Sequence, residues 1–269
     1  MDLHLRDQVA IIVGGARGIG LATARLLLEE GARLEIWDHT PPEASSVAEL
    51  QALTAQKVGF RQVDITDAAA CQQAVQDASA HWSRIEHLVL AAAIGSGKFG
   101  FPFTNLQPQD WRAVIEVNVL GTANVAHAIA PILMAQRSGT LTLLGSVAGQ
   151  MGSQTDPPYS ASKAANINFM QCMAKDLAPY GVRVNLVNPG MVKTDLNRSV
   201  WQAWHDQQPE ANRRTYEQWA GDKVRQVIPL GRWQTPEDIA ATIAFLISSR
   251  AQNITGQAIN VDGGFVMHA

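Results

Sequence analysis

The stretch VAIIVGGARGIG, residues 9–20, decides the fold that this 269-residue sequence predicts. Its first five residues form an apolar run typical of a strand buried on both faces. Gly14, Gly18 and Gly20 follow, and a helical pattern begins among them. Glycine adopts turn conformations that other residues avoid, and a helix N-terminus offers free N–H groups to a phosphate. The stretch therefore predicts a strand, a phosphate-binding turn and a helix.

Apolar or β-branched runs alternate with helical patterns along nearly the whole chain. Strands are predicted at 9–13, 33–38, 58–64, 87–94, 139–146, 182–187 and 257–262, and helices at 18–31, 43–56, 67–82, 108–137, 158–179 and 236–248. Helices of this length between strands indicate βαβ units, and hence a parallel sheet. We predict an α/β fold in which residues 1–269 form a single doubly wound Rossmann-type domain, with a seven-stranded parallel sheet and helices on both faces.

Composition and charge narrow the classes of function. The net charge is −3 and no long run of like charge occurs, which argues against a nucleic-acid surface or a polybasic membrane contact. We expect no signal peptide and no apolar run that could span a bilayer. Cys71 and Cys172 lack CxxC spacing, and the seven histidines form no ligand pair. These observations predict free thiols, no metal site and a cytoplasmic protein.

Asp38 ends the second predicted strand, about 20 residues after the glycine turn. In a doubly wound fold, a carboxylate in this place accepts hydrogen bonds from an adenosine ribose. The alternative is an ordinary strand-end cap beside the HTPP turn. The agreement with the glycine turn favours the ribose role, and thus NAD as the cofactor.

A tyrosine and a lysine lie four positions apart in the segment DPPYSASKAAN, residues 156–166. On a helix, Tyr159 and Lys163 share one face. An ammonium at that distance favours a phenolate and lowers the pKa of the phenol from its ordinary value near 10. The alternative is a surface tyrosine beside a solvated lysine.

These segments, taken in order, resemble the short-chain dehydrogenase/reductase family over essentially the whole chain. The matching elements are the glycine turn, Asp64 with Ile65, EVNVLG (116–121), GSVAG (145–149), YSASK (159–163), NPGMVKTDL (188–196) and ITGQAINVDGG (254–264). The resemblance implies the sheet order 3-2-1-4-5-6-7, a nicotinamide dinucleotide and a homotetramer.

The resemblance also implies the roles of individual residues. Tyr159 would be the general acid/base and Lys163 its partner, which also binds the nicotinamide ribose. Ser146 would hold the substrate oxygen, and Asn118 would order a water that reaches Lys163. The implied cofactor contacts are Gly14, Arg17, Gly18, Ile19, Gly20, Asp38, Asp64, Ile65, Ala92, Tyr159, Lys163, Pro189, Gly190, Val192 and Thr194.

Three segments depart from the family pattern. Val13 stands where a threonine often opens the glycine turn, and Leu90–Ala93 replaces the family's Asn-Asn-Ala-Gly. GSGKFGFPFTN (95–105) resembles an insertion whose aromatic residues could roof the pocket. Because the glycines and the catalytic four are intact, we expect cofactor binding and catalysis to persist.

Segment 191–233 is the least family-like, and the family places a mobile substrate lid there. It contains four of the seven tryptophans. We expect this lid to close over the substrate through Arg198, Trp201, Trp204 and His205, with Gln154 as a further contact. The alternative is that the tryptophans only pack the lid helices onto the core.

The function that the sequence predicts is an NAD-dependent alcohol dehydrogenase or ketone reductase. Its small-molecule substrate would be a polar secondary alcohol such as a sugar, polyol or sugar acid. One alternative is a 3-oxoacyl-thioester (acyl carrier protein) reductase, an activity that normally uses NADPH and that Asp38 argues against. Another is a non-catalytic dinucleotide sensor, which would not need Asn118, Ser146, Tyr159 and Lys163 together. We expect a homo-oligomer with no nucleic-acid or membrane partner.

Overall fold

Seven parallel strands form one sheet in the order β3-β2-β1-β4-β5-β6-β7 in the computed structural model, which describes residues 2–267. The strands are β1 (Val9–Val13), β2 (Arg33–Asp38), β3 (Gly59–Gln62), β4 (His87–Leu90), β5 (Gly139–Leu144), β6 (Val182–Pro189) and β7 (Ala258–Val261). The strand order and the parallel pairing confirm the predicted doubly wound sheet.

Helices cover both faces of this sheet. They are α1 (Gly18–Glu29), α2 (Ala44–Ala52), α3 (Ala68–His81), α4 (Arg112–Ile115), α5 (Thr122–Gln136), α6 (Pro157–Leu177), α7 (Asp195–His205), α8 (Tyr216–Val227) and α9 (Pro236–Ile247). Ile11 of β1 lies in the core beneath α3, α5 and α6, whereas its neighbour Ile12 lies in the core beneath α1 and α9. This alternation follows from the two-residue period of a strand, and it explains why β1 is apolar throughout.

Several elements are shorter than the sequence pattern predicts. Helix α2 ends at Ala52 rather than at residue 56. The Gln51 side chain donates hydrogen bonds to the carbonyl oxygens of Thr54 and Gln56, at 3.2 and 2.7 Å, and so stabilises a turn there. Strand β4 ends at Leu90, because the chain leaves the sheet toward the site described below.

The long predicted helix 108–137 is not a uniform α-helix. It begins with a 3₁₀ turn at Pro108–Trp111, and a π-helical turn at Glu116–Gly121 separates α4 from α5. The continuous stretch Pro108–Gln136 is long and apolar enough to cross a membrane by length and composition, so the expectation that no run reaches that length is wrong. Core helices of globular proteins pass the same test, and Ile129 and Leu133 are fully buried in the core.

The predicted lid folds as α7, α8 and the turns around them. Tyr216 and Trp219 of α8 are buried. Trp201 and Trp204 of α7 and Trp233 pack against them. This aromatic cluster joins the two helices to each other and is separate from the two clusters of the sheet core. Whether the tryptophans contact substrate or only pack the lid onto the core stays a prediction.

Candidate active site

The glycine turn lies between β1 and the N-terminus of α1. Gly14 has φ +80°, and a Cβ at this residue would lie 2.5 Å from the backbone nitrogen of Ala92. Glycine is therefore required for the turn to pack against the chain that leaves β4. Gly18 has φ +56°, and the atom nearest to a Cβ placed there is Cγ2 of Thr194, at 3.9 Å. Two predicted cofactor residues, Gly18 and Thr194, thus lie close to each other at the start of α1.

Asp38 lies beside this turn at the end of β2. Its Oδ2 accepts a hydrogen bond from the backbone N–H of Ala16 at 3.1 Å, and its Oδ1 accepts one from the N–H of Thr40 at 3.2 Å. A carboxylate has about four acceptor sites, so capacity remains for ribose hydroxyls. The N-terminus of α1, which has no side-chain cap, and this carboxylate fit the pyrophosphate and adenosine ribose of a dinucleotide.

The other predicted cofactor residues border the same edge of the sheet. Asp64 accepts hydrogen bonds from the N–H and hydroxyl of Thr66, which lower the pKa of its carboxyl group. Ile65 is buried against Gly121. The remaining predicted cofactor residues lie in three places. Arg17, Ile19 and Gly20 belong to the glycine turn and the start of α1, and Ala92 follows β4. The others lie between the end of β6 and the N-cap of α7: Pro189, Gly190, Val192 and Thr194.

Tyr159 and Lys163 lie one turn apart near the start of α6, and Ser146 lies at the end of β5. The Ser146 side chain lies close enough to the Tyr159 hydroxyl to lower the pKa of the phenol. Lys163 Nζ is 5.5 Å from the centre of the Tyr159 ring and donates a hydrogen bond to the carbonyl oxygen of Leu144 at 2.6 Å. The fold therefore brings three of the four predicted catalytic side chains together.

Burial controls the acidity of this pair. It raises the pKa of Tyr159 to about 12, an effect that the Ser146 hydroxyl partly offsets and that the nearby Asp156 carboxylate increases. It also lowers the pKa of Lys163 to about 8. Among the groups of the protein, desolvation of the phenol is the largest influence on its pKa. The expected lowering of that pKa by Lys163 together with the positive charge of a bound nicotinamide stays a prediction.

Asn118 is fully buried in the π-helical turn. Its amide pairs with the backbone of Ile94, accepting from the N–H at 2.9 Å and donating to the carbonyl at 2.8 Å. It also donates to Ser162 Oγ at 3.0 Å, and that hydroxyl donates to the Tyr159 carbonyl at 2.7 Å. Asn118 thus joins the chain after β4 to the helix that carries Tyr159. The predicted water contact to Lys163 stays a prediction.

The sequence reasoning missed Asp156, which caps α6 just before Tyr159. Its Oδ1 accepts from the Tyr159 N–H at 3.4 Å, and its Oδ2 accepts from the Ser96 N–H at 2.8 Å. Gly100 N–H also donates to the Thr155 carbonyl at 2.8 Å. The insertion-like loop 95–105 is therefore fastened to the N-terminus of the catalytic helix. An aspartate before two prolines is a helix-start signal that could have identified it.

A second group that the sequence reasoning missed holds the turn after Ser146. The Ser146 N–H donates to Asn188 Oδ1 at 2.9 Å, and Asn188 Nδ2 donates to Asn260 Oδ1 at 3.1 Å. Ser146 Oγ accepts from the Ala148 N–H at 3.1 Å. No local pattern in the sequence marks these two asparagines as neighbours.

The predicted substrate residues lie on the lid and its surroundings. Gln154 is exposed. The Arg198 guanidinium lies 4.7 Å from the centre of the Tyr216 ring. Trp201 donates its indole N–H to the Arg214 carbonyl at 3.1 Å, and the rings of His205 and Trp201 are 5.0 Å apart. Trp204 lies 6.2 Å from Trp219.

Comparison with known proteins assigns this arrangement to a family. A family model described as enoyl-(acyl carrier protein) reductase matches residues 14–266. The chain belongs to the short-chain dehydrogenase/reductase family. As a member of that family it is an oxidoreductase, and the family binds a nicotinamide dinucleotide.

Relatives of this short-chain dehydrogenase/reductase cover nearly its whole length. A 3-oxoacyl-[acyl-carrier-protein] reductase of Thermotoga maritima is 32% identical over 265 residues, with 98% of this chain and 100% of the relative covered. A cyclohexanol dehydrogenase of a Rhodococcus species is 34% identical over 279 residues, with 98% and 97% covered. The crystal structure of levodione reductase matches with a TM-score of 0.89 at 25% identity, covering 97% of this chain and 98% of that one.

Proposed function

We propose that the protein transfers a hydride between NAD and a secondary alcohol or ketone. The observation that carries this proposal is the contact between Ser146 and Tyr159, with Lys163 beside the phenol and the glycine turn at the same edge of the sheet. Bound NAD would supply the hydride acceptor. A dinucleotide sensor would not need an acid/base group in contact with a hydroxyl donor.

Each side chain has a separate task in the proposed mechanism. Ser146 Oγ accepts a hydrogen bond from the Ala148 N–H, so its own hydrogen is available to donate to the substrate oxygen. The Tyr159 oxygen takes the hydroxyl proton during oxidation and returns it during reduction. Lys163 is held by the Leu144 carbonyl, and its charge favours the phenolate. Because burial keeps the phenol protonated at neutral pH, Tyr159 suits reduction there without further activation.

We propose NAD rather than NADP because of Asp38. Its carboxylate is fixed by the backbone N–H groups of Ala16 and Thr40. A 2′-phosphate in that position would meet a negative charge that cannot move away. The exposed Arg17 could contact such a phosphate, but one exposed cation contributes only about 1 kcal/mol or less.

Two features of the surroundings favour an uncharged substrate with an apolar body. Phe101 and Phe103, on the loop fastened to α6, are 51% and 74% exposed, which is unusual for phenylalanine. The lysine of that loop and the arginine of α7 are engaged: Lys98 pairs with Asp110 at 2.9 Å, and Arg198 stacks on the Tyr216 ring. Of the polar substrates that the sequence suggests, a sugar acid is therefore the least supported, and a sugar or polyol ranks below an alicyclic alcohol or ketone.

The second candidate is a 3-oxoacyl-thioester reductase. It is favoured by the Thermotoga maritima relative, which carries that name. It would require an NADPH site and a basic surface for an acidic carrier, and Asp38 disfavours the first of these.

A panel of substrates with both cofactors tests the proposal. Cyclohexanol, sorbitol and an acetoacetyl thioester would be offered with NAD, NADP or their reduced forms, and the absorbance of the reduced nicotinamide followed. We expect turnover of the cyclic alcohol with NAD and no turnover by Tyr159→Phe. Fastest reduction of the thioester with NADPH would establish the second candidate, and binding of NADH without any turnover would favour the sensor.

We also propose a cytoplasmic homo-oligomer, a tetramer by family resemblance, with no nucleic-acid or membrane partner. A groove of about 810 Å³ between α3, α5 and α6 supports the assembly. Its lining is largely apolar and includes Ala130, Met134 and Phe169. The lid formed by α7 and α8 would close over the substrate.

A further inference from the structure

The short turn that carries Ser146 is held at both of its ends by one pair of asparagines. We call residues 146–150 the serine turn. At its start, the Ser146 N–H donates to Asn188 Oδ1 at 2.9 Å. At its end, Gln150 Oε1 accepts a hydrogen bond from Asn260 Nδ2 at 2.9 Å. The two asparagines are themselves joined, because Asn188 Nδ2 donates to Asn260 Oδ1 at 3.1 Å.

This asparagine pair belongs to the sheet rather than to a loop. Asn188 of β6 and Asn260 of β7 are partners in the strand register, so the backbone ladder fixes their spacing. Asn188 is fully buried, and its amide oxygen and nitrogen are both used in the contacts above. Gly145 has no space for a side chain, because a Cβ there would overlap Asn188 Oδ1. The serine turn therefore rests directly on a buried, satisfied amide, and such groups have little rotational freedom.

The same pair reaches the segment that follows β7. Asn260 Nδ2 also donates to the Val266 carbonyl at 3.1 Å. Asp262, which is buried, accepts from the N–H groups of Gly264 and Val266 at 2.9 and 2.7 Å. Asn260 is thus shared between the serine turn and segment 262–267.

We propose that Asn188 and Asn260 are positioning residues that orient Ser146 toward the reacting oxygen and couple the serine turn to segment 262–267. The inference rests on the proposed function, since Ser146 must act on a substrate oxygen for its orientation to affect catalysis. Displacement of a reacting group by about 1 Å can lower the rate by about 100-fold. Loss of either asparagine removes a bond at one end of the turn, while the bond from Ser160 Oγ to the Ala148 carbonyl at 2.5 Å remains.

Hydrogen exchange tests the attachment without any substrate. The variants are Asn188→Ala, Asn260→Ala and the milder Gln150→Ala, which leaves the buried pair intact. The matched control is Asn185→Ala, because Asn185 lies on the same strand and bonds Ile254 and Gln257 instead of the serine turn.

We expect amides of residues 145–151 to exchange about tenfold faster or more in the three variants. Asn260→Ala should also speed exchange in 262–267, whereas Asn185→Ala should do so only near 254–257. Unchanged exchange in 145–151 would overturn the proposal.

Kinetics test the positioning role, with cyclohexanol and NAD as the probe. We expect Asn188→Ala and Asn260→Ala to lower kcat about 10- to 100-fold, with KM and NADH binding changed less than about threefold. In a Ser146→Ala background the same substitutions should lower kcat less than about threefold further, because they act through Ser146. If the substitutions lower kcat by the same factor in the Ser146→Ala background as in wild type, the role of the asparagines is merely structural. The same conclusion follows if Asn185→Ala lowers kcat as much as Asn188→Ala or Asn260→Ala does. If wild type turns over no alcohol or ketone, the proposed function fails while the exchange experiment still decides the attachment.

Discussion

The ammonium group of Lys163 lies 5.5 Å from the centre of the Tyr159 ring, and one turn of α6 separates the two residues. Its direct hydrogen bond goes to the Leu144 carbonyl rather than to the phenol. Any effect of Lys163 on the phenol would therefore act through space, from a position that the Leu144 carbonyl fixes. The environment of the phenol leads to two predictions about catalysis.

Tyr159→Phe should abolish catalysis while cofactor binding persists. The substitution removes only the titratable oxygen, so the packing of α6 should remain. Loss of acid/base assistance should lower kcat about 10²- to 10⁴-fold. Steady-state kinetics and NADH fluorescence measure the two effects, and a mutant with wild-type turnover would contradict the assignment.

Alcohol oxidation should accelerate with pH because the phenolate is the competent base. Burial raises the pKa of Tyr159 to about 12, so the phenolate fraction should increase about tenfold per pH unit from about pH 6 upward. The increase should weaken near pH 8, where Lys163, whose pKa burial lowers to about 8, loses its charge. Ketone reduction should vary little below pH 8. The logarithm of kcat/KM against pH measures this, and a flat oxidation profile would argue against a tyrosine base.

Asp38→Ser should remove most of the preference for NAD. Wild type should favour NAD strongly, because its carboxylate repels a 2′-phosphate, and serine removes that charge while keeping a hydrogen-bonding group. The ratio of kcat/KM for the two cofactors measures the change. Asp64→Ser is a suitable control, since Asp64 lies at the end of the next strand and should affect both cofactors alike. A wild type that prefers NADP would refute the role of Asp38.

Ala130→Glu should weaken the homo-oligomer. Ala130 lines the apolar groove between α3, α5 and α6, and a carboxylate there would be desolvated on assembly. Light scattering should show a tetramer for wild type and smaller species for the variant. Ala52→Glu, an exposed change at the end of α2, should leave the assembly intact. A monomeric wild type at micromolar concentration would refute the proposed assembly.

His87 should make the fold sensitive to mild acid. It is buried between Gln8 and Thr140, with ring nitrogens 2.6 and 2.8 Å from their side-chain oxygens, and burial lowers its pKa to about 3. Below pH 6.5 the unfolded chain binds a proton that the folded protein does not, so stability decreases as pH falls, by about 2 kcal/mol at pH 5.

Denaturant unfolding of His87→Gln at pH 7 and pH 5 tests this sensitivity. The variant should be less stable at pH 7 yet lose about 2 kcal/mol less than wild type on acidification. His81→Gln, at the exposed end of α3, should retain the wild-type pH dependence. Equal pH slopes in wild type and His87→Gln would contradict the prediction.

The sequence predicted the sheet because its signals are local. Apolar runs such as β1 and the helical spacing of α1 report burial on each face directly. Tyr159 and Lys163 were predictable for the same reason, since four residues of helix place them on one face. Asp156, through which α6 is attached to the loop 95–105, could also have been identified from the sequence, because an aspartate before two prolines is a helix-start signal.

Other features depend on contacts between distant parts of the chain. The π-helical turn at Asn118 arises where its amide pairs with Ile94, and periodicity does not detect such a turn. The direction of the pKa shift at Tyr159 depends on how many atoms surround the phenol, which only the packed structure shows. The pairing of Asn188 with Asn260 joins residues 72 positions apart.

The asparagine pair also ties the serine turn to parts of the chain that follow it in sequence. Ser146 reaches Asn188 across 42 residues, and Asn260 reaches Gln150 across 110. Such contacts form late, because the loop between their ends must close before they stabilise anything. Formation of α6 alone places Tyr159 and Lys163 on one face, whereas the bond from Asn260 to Gln150 also requires β7 to be paired with β6. A chain in which β7 is unpaired would thus keep Tyr159 and Lys163 on one helix but would lack the bond from Asn260 that holds the end of the serine turn.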